Sequence, residues 1–400
     1  MAGPKGLAAA LLALAAVAIT AAAGAPNLAA RTSASSQAAR PSGQISLPGA
    51  PPRADVQAPQ PDARLPEPQA DSQACLDCHG DPALAVTLPS GETLPLFISP
   101  EALAQSVHER LGIGCDSCHP DITGYPHPAV EFATRRELTR SLYLTCRTCH
   151  SANYERTLDS MHAQAAAAGQ SQAPVCTDCH GAHDVRPPDE PRSLISETCG
   201  QCHTAIFAQY RNSVHGEALI RGGNPEVPVC TDCHGVHNIP DPRTAQFRIQ
   251  SPELCAGCHA DPALMGKYGL SAEVYQLYTV SWHGVDVVVY KSHWPGIWHE
   301  SAVCTDCHGV HDIRAAQDPA SRVNPDNLLG TCRQCHPIAG PNWTGAWIGH
   351  DPVSRERTPF VFYTQAFYRS FTPAVLIPAA VYLTLQVIRA LVARIRRSLP

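Results

Sequence analysis

The octapeptide Cys-Thr-Asp-Cys-His-Gly-x-His stands at Cys176–His183, Cys230–His237 and Cys304–His311. Its core, Cys-x-x-Cys-His, recurs nine times. In chain order the copies are Cys75, Cys78 and His79; Cys115, Cys118 and His119; Cys146, Cys149 and His150; Cys176, Cys179 and His180; Cys199, Cys202 and His203; Cys230, Cys233 and His234; Cys255, Cys258 and His259; Cys304, Cys307 and His308; Cys332, Cys335 and His336. Residues i, i+3 and i+4 of a short helix share one face. Two thiols on that face can bond the two vinyl groups of a haem while the histidine beneath them reaches the iron, which is the pattern of covalent c-type haem attachment. A single copy is also compatible with a zinc half-site or a redox dithiol. Nine copies consume all 18 cysteines, so none remains for a disulfide or a nucleophile. The expected cofactors are nine covalently bound c-type haems.

The other histidines bear on the chemistry. Of 20 histidines, nine belong to motifs and eleven do not. A two-haem unit repeats: Ser-x-His, then Cys-x-x-Cys-His-Gly-x-His, then a second Cys-x-x-Cys-His. Its copies carry His162 and His183, His215 and His237, and His283 and His311 as extra histidines. A diverged copy before them carries His108 and His127, with Pro120 where the others have glycine. The motif at Cys75 stands alone in front. A histidine three residues past a motif histidine cannot easily curl to the opposite face of the same iron. His183, His237 and His311 are therefore expected to serve a neighbouring haem, helped by glycine at the helix end. His293, His299 and His350 are left for the Cys75–His79 haem, with His299 or His350 the expected ligand. Beyond Met1 only Met161 and Met265 are present, so methionine ligation, which raises haem potential, is limited to two sites at most. Mostly bis-histidine, low-potential haems are expected, which favours electron transfer over catalysis.

These repeats, the Ser-x-His-Gly and Cys-x-x-Cys-His-Gly-x-His patterns between Ser106 and His336, resemble the bacterial multihaem cytochromes c of the cytochrome c3-like group. The resemblance implies that His162, His183, His215, His237, His283 and His311 are distal haem ligands, and His108 and His127 with them. Glu109 and Ala163 stand where that family favours glycine. The family is often paired with a membrane b-type cytochrome, and no such domain is visible in this sequence.

The flanks suggest where the haem region resides. Residues 1–25 hold Lys5 and an apolar alanine- and leucine-rich run, which reads as a secretory signal. Residues 26–70, rich in Ala, Pro, Ser and Gln, read as a disordered linker. The nonahaem domain is expected over 71–350, a juxtamembrane segment over 351–369, a transmembrane anchor over 370–393 and a basic tail over 394–400. Ser370–Ile388 is uncharged and about long enough at helical rise to cross a ~30 Å hydrocarbon core. Arg389, Arg394, Arg396 and Arg397 then place the C-terminus in the cytoplasm. The haem domain would lie on the periplasmic or extracellular side. Aromatics at 6% and 37 prolines leave little conventional core. The expected fold is mainly α with much irregular chain around stacked haems, and a hairpin near Ala85–Phe97 turning at Pro89–Gly91.

A formal charge of −6 excludes a basic nucleic-acid face. The expected partners are the lipid bilayer, a membrane quinone-reactive or b-type cytochrome partner, and a periplasmic or extracellular redox protein. The expected role is electron relay between the last two rather than enzyme catalysis. The alternatives are a reductase of a small nitrogen or sulfur compound with one open haem, and a wiring subunit of a larger respiratory complex. The aromatic cluster from Tyr275 to Trp298 reads first as packing against haem faces.

Overall fold

The computed structural model describes residues 72–122, 125–127, 131–346, 350, 352–356 and 358–398. The chain forms two units, Met1–Ala50 and Pro51–Pro400. The first lies outside the described residues, as do the expected signal and linker. The described chain is mainly helical. Its one sheet is a hairpin pairing β1 (Ala85–Thr87) antiparallel to β2 (Thr93–Pro95) in the register Ala85↔Pro95, Val86↔Leu94 and Thr87↔Thr93. Gly91 (φ +85°) supplies the left-handed turn between them.

Each octapeptide forms the same five-residue helix, Cys176–His180, Cys230–His234 and Cys304–His308. The aspartate in the motif fixes its start. Asp178, Asp232 and Asp306 each accept the backbone N–H of Val175, Val229 and Val303 at 2.7 Å, satisfying one of the donors that a helix start leaves unpaired. The glycine fixes its end. Gly181, Gly235 and Gly309 adopt φ of +76°, +77° and +86° with ψ between 174° and 179°, a region open essentially to glycine alone. There the chain turns away from the motif and carries the following histidine with it.

The Ser-x-His element is a capped helix start. Ser106, Ser160, Ser213 and Ser281 cap the helices Val107–Arg110, Met161–Ala167, Val214–Gly216 and Trp282–His293. Their hydroxyls accept the backbone N–H of His108, Ala163, Gly216 and Gly284 at 3.1–3.3 Å. The next backbone N–H crosses to another repeat: Val107 N donates to Val185 O at 2.8 Å, Met161 N to Ile239 O at 2.9 Å and Val214 N to Ile313 O at 2.9 Å. Among the described residues buried apolar side chains gather in small clusters, Tyr210, Leu219 and Val229 in one and Ile249, Val287 and Val303 in another.

The C-terminal helix spans Pro359–Ser398, so it begins inside the aromatic approach, before residue 370. Pro373 and Pro378 lie within it. Its most apolar 18-residue stretch has a mean hydropathy of 1.9, which makes it a candidate membrane span. Leu376, Leu383 and Leu385 along it are at least 60% exposed, as a lipid-facing surface would be.

Replacing Ser213, 2% exposed, by alanine removes the cap of the His215 helix. The expected cost is about 1 kcal/mol, read as a lower guanidinium midpoint of the haem-loaded protein with an unchanged slope.

Candidate haem sites

Every motif histidine faces a second histidine. Ring centroids lie 6.0 Å apart for His79 and His127, and for His234 and His311. The separation is 6.1 Å for His150 and His108, and 6.3 Å for His203 and His162. It is 6.2 Å for His119 and His183, His180 and His237, and His259 and His215. It is again 6.2 Å for His336 and His283 and for His308 and His350. A metal bound by imidazole sits about 2 Å from the nitrogen, and the ring centre lies roughly 1 Å further on. Two imidazoles holding one ion would stand about 6 Å apart, so each pair could hold one iron between its rings. At the first site His79 Nδ1 donates to the Leu96 carbonyl at 2.7 Å, which leaves Nε2 as the nitrogen able to bind metal.

The pairing follows a rule. The Ser-x-His histidines face the second motif of their own repeat: His108 with His150, His162 with His203, His215 with His259, and His283 with His336. The Gly-x-His histidines reach back one repeat, His183 to His119, His237 to His180 and His311 to His234. The glycine turn makes this reach possible. His127 faces His79, and His350 faces His308. This differs from the expectation that His299 or His350 stands opposite His79. His350 is at the eighth site because no Gly-x-His follows the ninth motif to fill that place. His299 faces no motif histidine. Its Nε2 meets Asp286 Oδ2 at 2.6 Å, its ring lies 3.3 Å from that of Tyr290, and Ser301 closes the group. His293 Nδ1 donates to Val289 O at 2.9 Å.

Burial favours the neutral, metal-binding form of several of the paired imidazoles. It lowers the pKa of His108, His119, His162, His180, His183 and His308, and the facing or adjoining imidazole lowers each further. Burial, and then His259, take His215 down to about 4.

Sequence reasoning missed the residues that tie one motif to the next. Arg136 meets Asp178 at 2.8 Å, Arg192 meets Asp232 at 2.5 Å and Arg248 meets Asp306 at 2.7 Å. Each arginine precedes an odd motif and grips the aspartate of the following even one. Arg136 also donates to the Ser171 and Ala173 carbonyls, and Arg248 to that of His299 at 2.8 Å. A signal existed: Arg192 and Arg248 each stand seven residues before the first cysteine of their motif. Phe247 lies 5.6 Å from His234, and Trp343 lies 5.3 Å from His336.

Two family models match parts of the chain, cytochrome c3 over residues 107–204 and the doubled CXXCH motif over 223–264. Over those segments the chain is similar to multihaem c-type cytochromes. No curated protein and no solved structure matches it. The motifs and the matches indicate covalently bound c-type haem with iron, and multihaem cytochrome c segments imply electron transfer.

Gly284 follows His283 where a Cβ would overlap the Tyr278 carbonyl oxygen. Gly284→Ala is expected to cost about 1–3 kcal/mol and to pull His283 away from His336. A high-spin signal from one haem should then appear in electron paramagnetic resonance. Gly266→Ala, where nothing lies within 4 Å, should leave the spectrum unchanged.

Proposed function

We propose that the chain is a nonahaem, bis-histidine c-type cytochrome that relays electrons between a membrane quinone-reactive partner and a periplasmic or extracellular redox protein. The cysteines of the nine motifs hold nine haems, and each facing pair supplies the two axial ligands. The pairing is the observation that carries this reading. Each of the nine motif histidines has another histidine about 6 Å away. A reductase needs a position where a small oxyanion can displace a weak ligand or water, and the pairing offers nine filled positions instead. When bound, haem supplies one-electron chemistry. The residues of the chain hold it, set its low potential through two imidazoles and bring the sites together.

The C-terminal helix tethers the protein to the bilayer. The arginines after Ile388 favour a cytoplasmic C-terminus, with the haem region on the exocytoplasmic side. Tyr363, Phe367 and Tyr368, all more than half exposed, suit an aromatic belt at the outer interface.

Two measurements test this. A haem assay should return nine haems per chain, and low-temperature paramagnetic resonance of the oxidised protein should show low-spin iron alone. A high-spin component that shifts with nitrite, hydroxylamine or tetrathionate would return the reading to an enzyme. Ending the chain at Thr358 should move the protein from the membrane to the soluble fraction with its haem content unchanged.

A further inference from the structure

We infer, resting on the reading above, that the nine haem sites stand side by side in the order of their motifs in the chain, in one file. The Cys304 and Cys332 sites form its membrane end, which meets the quinone-reactive partner. The Cys75 site is its far end, which meets the soluble redox protein.

Successive motifs touch in two alternating ways. The third and fourth, fifth and sixth, and seventh and eighth are held by the arginine–aspartate ties described above. The helices that carry them pack together: Tyr143–Thr148 on Cys176–His180, Ser193–Gly200 on Cys230–His234, and Ala245–His259 on Cys304–His308. Tyr210 Oη donates to Pro228 O at 2.7 Å and Tyr278 Oη to Ala302 O at 2.9 Å across two of these joints. Leading cysteines come together there: Cys146 lies beside Cys176, Cys199 beside Cys230 and Cys255 beside Cys304.

The remaining steps join through the Ser-x-His histidines. Each precedes an even motif in the chain and faces the histidine of the following odd one, His108 with His150, His162 with His203, His215 with His259 and His283 with His336. The other cysteine of each even motif lies at the same step. Cys118 lies within electrostatic reach of Cys146 and Cys149, and Cys179 within reach of Cys202. Cys233 is near Cys255 and Cys258, and Cys307 is near Cys332 and Cys335. The first site joins the second through His127, which follows His119 by eight residues and faces His79. The Gly-x-His histidines act as struts that hold each even site to the one two places back.

The direction of the file comes from His350, which faces His308 at the eighth site. Nine chain steps lead from His350 to Pro359, where the candidate membrane helix begins. Fully extended they reach about 30 Å at most. The eighth site is thus held near the bilayer, with the ninth beside it, where Trp282 (92%) and Ile338 (90%) lie exposed beside the His283–His336 pair. One electron taken from the reduced quinone-reactive partner at this end leaves to the oxidised soluble protein at the Cys75 end. No bond forms or breaks, and the chain returns to its starting charge.

The test uses full-length, haem-loaded protein and two readouts. Against the wild-type paramagnetic spectrum, C75A/C78A should alter the signal of one remaining haem, and C199A/C202A the signals of two. If C75A/C78A disturbs signals throughout the protein, or C199A/C202A disturbs none, the file is overturned. The second readout is stepwise reduction of protein held by its C-terminal helix in an electrode-supported bilayer. C199A/C202A should slow reduction of the four haems before the gap at least tenfold, while C75A/C78A leaves every remaining haem at the wild-type rate. Equal rates in both variants would overturn the order. Should C199A/C202A fail to accumulate, His162→Met keeps both thioethers and raises the potential of that haem alone, and the same two neighbours should respond. A high-spin signal in the wild type would defeat the bis-histidine reading while the neighbour pattern still reports the order.

Discussion

Two imidazoles on opposite sides of one iron must come from two places in the chain, because the residues just past a motif histidine stay on its own side. In seven of the nine pairs the second imidazole comes either from a capped helix start earlier in the same repeat or from the glycine turn that leaves the next repeat's first motif, and His127 and His350 complete the other two. The second source ties the repeats together. His183 faces His119, and two residues later the Val185 carbonyl accepts the Val107 backbone N–H. The same short segment completes a site and docks one repeat on another. His237 with Ile239 and His311 with Ile313 repeat the arrangement. Folding of the repeats and assembly of the sites are therefore one event.

Side-chain burial is too sparse to hold such a chain by itself. The buried apolar residues among those described are isolated or gathered in threes, and the largest of the fully buried ones, Ile249, Val229 and Val303, lie at the joints between motifs. The arginine–aspartate ties sit at the same joints. Exposed ion pairs contribute little, about 0–1 kcal/mol each. Arg248, with its side chain 16% exposed, a carbonyl and a carboxylate as acceptors and the Trp298 ring beside it, is the best placed of the three. The large apolar faces of bound haems would supply the mass that the side chains lack, as a metal completes the fold of other small-core proteins.

Much of this was legible in the sequence because its causes are local. The spacing of Cys176, Cys179 and His180 needs one helical turn, and Gly181 and Ser213 announce a helix end and a helix start through their own backbone chemistry. The hairpin at Ala85–Pro95 was readable from its turn residues for the same reason. Which histidine faces which was not, because that depends on how repeats dock. His127 and His183 carry no mark that says one reaches back to the first motif and the other to the second. His299 looked as available as His350. What separates them is that Asp286 and Tyr290 engage His299, a contact set by the path of the Trp282–His293 helix.

The aspartate of each octapeptide has two jobs. Asp178, Asp232 and Asp306 hold the start of their own helix and receive an arginine from the preceding repeat, so the helix that presents two cysteines and a histidine is also held in register by its neighbour. That coupling makes the array behave as a one-dimensional chain of units, each stabilised by the next. It also explains where the pattern stops. The ninth motif has Pro325 where Arg192 and Arg248 stand in the fifth and seventh, seven residues before the first cysteine. No octapeptide follows it to receive an arginine. Its place at the end is filled by His350, which completes the eighth pair from the segment leading to the membrane helix.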